Sequence, residues 1–265
     1  MIAAIKSEFR KLFSTRMWWI LAIVMIGYLA FVGILMSIMF TLLGDEMTGG
    51  AVQGKTLAVT IYGFINPIGY VFPLLIGSLL FTSEFRHQTI TPSLLSGANR
   101  THLLLSKLVV SAVVGLLYGV IAVLAMIGSS APFLQILGDG HYLGDSEVWK
   151  LIAGSLLVFV LWTMFGVALG GLIVNQVAAI VVILAMTQFV EPILGLVLGI
   201  PEATRGVAQF LPAAAGNAVV GSNSLAMGTG MGDMLTRTEG AAVLMAYIVI
   251  FALLCRFITL RRDIG

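Results

Sequence analysis

Six stretches of this chain run for 20 residues or more with at most one charged side chain each, and that pattern admits few folds. They are residues 17–43, 57–82, 103–128, 151–174, 177–200 and 241–260. A helix needs roughly 20 residues to cross a hydrocarbon core about 30 Å thick, so each run is long enough to span a bilayer. Hydrocarbon offers backbone groups no partner except each other, and the period-two alternation of a barrel strand is absent, so the spans are expected to be helices. Composition agrees. With 59% hydrophobic and 10% charged residues, against roughly 25% charged in a soluble domain, a compact aqueous fold could not hide its apolar surface. The expectation is an all-α membrane protein with six transmembrane helices, one transmembrane domain over residues 1–265 and no soluble catalytic domain. No small-residue cleavage site follows the first span, which is expected to be a retained anchor. The single cysteine, Cys255, excludes an internal disulfide.

Charge sets the expected topology. Ten of the fourteen Lys and Arg residues fall before span one, around the loop between spans two and three, or at the C-terminus: Lys6, Arg10, Lys11, Arg16, Arg86, Arg100, Lys107, Arg256, Arg261 and Arg262. The other side receives Lys55, Lys150, Arg205 and Arg237 with most of the acids. By the positive-inside rule both termini are cytoplasmic. Trp18 and Trp19 fit the inner interface and Trp149 the outer, whereas Trp162 is mid-span.

Two segments at that inner side stand out. Residues 1–16 place Ile2, Ile5, Phe9, Leu12 and Phe13 on one helical face and Lys6, Arg10, Lys11 and Ser14 on the other, which predicts an amphipathic helix in the headgroup layer. A charged lead-in that only sets topology is the blander alternative. The loop at 84–101 is the sizeable connection on this side. Thr91 and Pro92 form a good helix start and Gly97 a stop, so a short surface helix is expected over residues 92–96. Leu94 and Leu95 then suit a groove on another protein, with Glu84, Arg86 and Arg100 at its charged rim. A solvated turn with its leucines dipping into lipid is the competing reading.

Taken in order, TRMWW at 15–19, EFRHQTITPSLLSGANR at 84–100, NQVAA at 175–179, FVEPIL at 189–194, LPAAAG at 211–216 and the terminal RRD resemble the six-helix permeases of type-2 ABC exporters, particularly actinobacterial ones. The resemblance covers essentially the whole chain. It implies a half-transporter: two permease copies or homologues pair, each with an elbow helix, and each docks a coupling helix on a separate cytoplasmic ATPase that binds ATP and Mg. Carried onto this sequence, the coupling element is Glu84, Phe85, Arg86, Thr89, Pro92, Leu94, Leu95 and Arg100, with Gln88 where the family has glycine. The family places spans two and five along the translocation pathway, making Asn66, Thr187, Gln188 and Glu191 its polar candidates and Phe64 and Phe72 its apolar lining. Such a lining suits amphipathic, drug-like, peptide or lipid-like cargo. The implied location is the bacterial cytoplasmic membrane, with no cofactor in this chain, membrane lipid around it and no nucleic-acid partner.

Glu191 stands out inside the membrane, because it lies 14 residues beyond Val177, about 21 Å along the fifth span. A carboxylate there is costly and marks a functional position by default; a structural role, capping a helix break or pairing with Arg205, is the alternative. Residues 201–240 are too polar to span and are expected to hold helical pieces at the outer surface or re-entering against protein.

Several motifs are decoys. GGAVQGKT at 49–56 matches a phosphate loop formally, but it joins two membrane helices with no sheet behind it. SLLSGAN at 93–99 echoes an ATPase signature incompletely, and GMGD at 230–233 lacks the second carboxylate that aspartyl chemistry needs. His87, His102 and His141 are scattered. An intramembrane enzyme would need a converging set of polar residues within the spans, and none is visible in the sequence. A membrane anchor or sensor that binds an ATPase without transporting would share the architecture.

Overall fold

The computed structural model describes residues 2–48, 52–86, 100–221 and 235–259. These form helices α1 (Ile2–Ser14), α2 (Met17–Thr48), α3 (Gly54–Gly63), α4 (Ile65–Gly69), α5 (Val71–Arg86), α6 (Arg100–Leu137), α7 (Ser146–Gly170), α8 (Gln176–Ala185), α9 (Glu191–Gly199), α10 (Glu202–Ala208), α11 (Pro212–Val220) and α12 (Arg237–Leu254). A π-helical turn, Met186–Val190, joins α8 to α9, and another, Cys255–Thr259, follows α12. Among the described residues, six helical stretches are long and apolar enough to cross a membrane: Met17–Gly44, Gly54–Arg86, Thr101–Leu137, Ser146–Gly170, Gln176–Gly199 and Arg237–Thr259. The chain is therefore an all-α, multi-pass membrane protein. Ile23, Phe31, Leu42, Leu124, Val177, Phe189 and Val197 face outward, the reverse of a soluble surface, as a lipid solvent requires.

Span ends are set by local chemistry. Asp145 Oδ1 accepts from Glu147 N at 2.8 Å to start span four, Asn175 Oδ1 accepts from Val177 N and Ala178 N to start span five, and Thr236 with Glu239 makes a reciprocal capping box for span six. Span two is broken into α3, α4 and α5 at Phe64 and Tyr70, since Pro67 and Pro73 withhold the N–H groups a continuous helix would use.

Spans two, three and four form the centre of the bundle, with span one on span three and span six on span four. Small residues let the backbones meet. A Cβ on Gly77 would sit 2.1 Å from Thr163 O, one on Gly166 2.2 Å from Leu74 O, and one on Gly115 2.7 Å from the Val160 Cα. Such close seams are how membrane helices gain packing where lipid already satisfies apolar side chains.

Because the chain crosses six times, its first and last spans have their outer ends at one end of the bundle, called here the terminal end. At the opposite, far end, α10 and α11 fold back into the protein. The Tyr247 hydroxyl, ten residues into span six, donates to Phe210 O, Gly216 lies against Asn66 and Trp162, and Val219 and Val220 lie against Gly154. The pair is a re-entrant hairpin: it dips to Phe210 and returns along α11 to Gly221, which takes a left-handed φ of 76° beside the Arg237 side chain.

Candidate functional site

Among the described residues, two clusters of polar side chains are buried in the bundle, one at the terminal end and one near mid-depth under the re-entrant hairpin.

The terminal cluster joins α1 to spans two and three. Lys107, whose side chain is fully enclosed, donates to Glu8 Oε2 at 2.7 Å and to Leu80 O at 2.9 Å, and pairs with Glu84 Oε1 at 3.2 Å. Its ammonium also lies 5.3 Å from the Phe81 ring centre. Lys11 donates to Glu8 Oε1 at 2.8 Å and to Glu84 Oε1 at 2.5 Å. Two acids thus meet two bases with no net charge, which is what a buried ionic group requires. Burial pushes Glu8 upward, but the Lys107 charge and the hydrogen bonds from both lysines outweigh it and hold the carboxyl below its ordinary value of 4.5. Burial likewise opposes the charge on Lys11, yet its bonds to Glu8 and Glu84 raise it above 10.5.

Ile5, Phe9 and Leu12 of α1 pack on the protein core, while Phe13 is exposed and Glu8 occupies the middle of the packed face. A face read from hydrophobicity alone omits that acid. The same cluster moves Glu84 from the expected rim into the protein, where it is 2% exposed. Phe85 is half-buried and stacks on Phe81 at 5.8 Å, and Arg86 reaches Gln176 Oε1 at 3.4 Å. Arg100 opens α6. Thr89, Pro92, Leu94 and Leu95, with the expected helix at 92–96, lie outside the described residues, as do GMGD at 230–233 and the terminal RRD.

The mid-depth cluster assembles residues from spans two, four and five and the hairpin. Asn66 Nδ2 donates to Asn217 Oδ1 at 2.7 Å, while Trp162 Nε1 donates to Asn66 Oδ1 at 3.0 Å. Asn66 is 0% exposed, so both of its amide ends are committed. A Cβ on Gly216 would stand 3.0 Å from Asn66 Nδ2; glycine is what lets α11 come this close. Tyr70 packs against Trp162 with its ring tilted by 42° and 4.7 Å between ring centres, and its hydroxyl lies 2.8 Å from Thr187 O and 3.2 Å from Glu191 Oε2. Glu191 Oε1 accepts from Ala213 N in the first turn of α11, a favourable place for a carboxyl oxygen because the first N–H groups of a helix lack partners.

The π-turn explains Thr187. Glu191 N bonds Met186 O in the i to i−5 register, so the next bond would run from residue 192 to Thr187 O. Residue 192 is proline and has no N–H. The Tyr70 hydroxyl fills the vacancy.

Of the pathway candidates, then, Asn66, Thr187 and Glu191 come together. Gln188 is exposed on the outer face of span five. Phe64 and Phe72 turn the other way and meet span one, through Phe40 at 6.4 Å and Tyr28 at 5.9 Å between ring centres. Arg205 donates to Gly199 O and does not pair with Glu191. The converging polar set that the sequence does not display exists here, built from residues up to 151 positions apart. Sequence reasoning also missed Glu8, Lys107, Tyr70, Trp162 and Asn217 as partners. Lys107 had a signal: a lysine inside an apolar run marks a buried partner as readily as a topology boundary.

At the far end, Lys55 of the phosphate-loop-like string pairs with Glu147 at 2.8 Å and Asp145 at 3.5 Å. The Glu147 backbone N–H, then the Lys55 charge, hold the Asp145 carboxyl below its ordinary value.

Residues 4–201 match the family model described as ABC-2 family transporter protein. Among curated proteins no match is found.

Proposed function

Because the chain belongs to the ABC-2 family of transporter proteins, we propose that it works as the membrane half of an ATP-driven exporter, with two copies or homologues pairing and separate ATPase subunits docking at the terminal end. ATP and Mg are bound by those partners, and this chain performs no covalent chemistry. The terminal end is the cytoplasmic face of a bacterial plasma membrane, in keeping with its excess of Lys and Arg. Cargo is amphipathic, drug-like, peptide or lipid-like, and the pathway runs between the paired subunits beside spans two and five.

The observation that carries this reading, beyond family membership, is the terminal cluster. Glu84 and Lys107 stand on the two spans that flank residues 87–99, and α1 is fastened to both, through Glu8 to Lys107 and through Lys11 to Glu84. A partner pressing on that connection would move α1 and the ends of spans two and three as one piece. Leu94→Asp and Leu95→Asp test the docking site. Co-purification with the ATPase and cargo movement in inverted vesicles should both fall by at least tenfold, while the permease itself stays folded. Undiminished association and transport would overturn the reading; association with no cargo movement in the wild type would point to an anchor or sensor.

A further inference from the structure

We propose that Glu191 is a proton-binding site: with the re-entrant hairpin seated as described, Oε2 carries a hydrogen and donates it to the Tyr70 hydroxyl oxygen. A count of hydrogens places it there. A tyrosine hydroxyl has one hydrogen to give and two lone pairs to receive with. Two oxygens lie near it, Thr187 O at 2.8 Å and Glu191 Oε2 at 3.2 Å. The first has the stronger claim, because Pro192 leaves that carbonyl without a helical donor and hydrocarbon supplies none. With the phenol hydrogen on Thr187 O, an ionised Oε2 would face only lone pairs. A hydrogen on Oε2 turns that repulsion into a hydrogen bond, and Oε1 stays free to accept from Ala213 N.

The surroundings agree. From span two the facing group is Tyr70; from span five, Thr187, with Gln188 turned outward; from α11, the Ala213 N–H; from span six, Tyr247, whose hydroxyl is directed to Phe210 O; and from span four, Trp162 against the Tyr70 ring. None of these carries positive charge. Among the described residues the acids in ion pairs are Glu8, Glu84, Asp145 and Glu147. A carboxylate at this depth would have only the helix N-terminus to offset its cost. Loss of the proton also draws the phenol hydrogen away from Thr187 O, so the carbonyl that Pro192 leaves open loses the donor that ties span two to span five. The joint between spans two and five is therefore held best at low pH and loosens as rising pH removes the proton. This inference does not depend on transport.

The test uses the full chain in lipid nanodiscs. Infrared difference spectra between wild type and Glu191→Gln at neutral pH should show a protonated-carboxyl stretch in the wild type that moves in D2O and is lost in the variant. Carboxylate bands in its place would overturn the proposal. Tyr70→Phe removes the acceptor, so the carboxyl stretch should move to higher frequency; an unmoved band would also overturn it, and this comparison stands even if Glu191→Gln does not fold. In thermal unfolding, Glu191→Gln should lose part of the wild-type decline in melting temperature toward alkaline pH. An identical decline in both proteins would count against the site.

Discussion

Replacing Lys107 by methionine keeps the length and apolar stem of the side chain and removes only its charge and donors. In the wild type that ammonium serves Glu8, Leu80 O and Glu84 with its side chain 0% exposed. After the change, Lys11 still lies within 2.8 Å of Glu8 and 2.5 Å of Glu84, enough to neutralise one carboxylate but not both. One buried acid is left uncompensated, and breaking a buried pair in this way costs about 3–5 kcal/mol. At about 2–4 °C per kcal/mol for a chain of this size class, the melting temperature in detergent should fall by about 6–20 °C. Lys11→Met gives the internal control. Loss of Lys11 also leaves one acid short of a base, but that side chain is 36% exposed, so water reaches the vacated site and the cost should be smaller than for Lys107. Adding Glu8→Gln to Lys107→Met removes the stranded charge and should recover at least half of the loss. Melting of Lys107→Met within about 2 °C of wild type, or greater damage from Lys11→Met, would refute this account of the cluster.

Docking of α1 should depend on pH at both extremes, as read by proteolysis of the N-terminal helix. Glu8 is lowered by folding, so its contribution is complete above 4.5 and is lost as acid carries the pH through the lower folded value; Lys11 is raised, so its contribution is complete below 10.5 and is lost above that. Gly77→Val should disrupt the seam between spans two and four, costing at least about 1–3 kcal/mol, because even its Cβ meets a backbone oxygen. Gly128→Ala, with nothing within 4 Å of the added carbon, should leave the melting temperature unchanged or slightly raised. Asn66→Leu orphans the Trp162 indole and the Asn217 amide and should cost about 1–3 kcal/mol for each group left unpaired, with a change in tryptophan emission as the local readout.

Sequence and structure part ways at identifiable residues. The six spans were legible because hydrocarbon imposes length and apolarity on each helix separately, and the structure shifts their bounds only by turns at the ends, as at 103–128, which extends to Thr101–Leu137. The break in span two is local in the same sense, since Pro67 and Pro73 act on their own backbone. The Tyr70 and Glu191 contact was not, because nothing local to either residue names the other across 121 positions.

Alone, the amino-acid order determined that this is a six-span helical membrane protein with an amphipathic lead-in and an acid deep in span five, because those properties follow from each segment meeting lipid or water by itself. Only the tertiary structure decided which charges meet. It turned Glu8 and Glu84 inward to Lys107 and set α11 on Glu191, because a buried charge or an orphaned carbonyl is satisfied by whatever partner packing brings within 3 Å or so, and that distance is fixed by the glycine seams between spans and not by position along the chain.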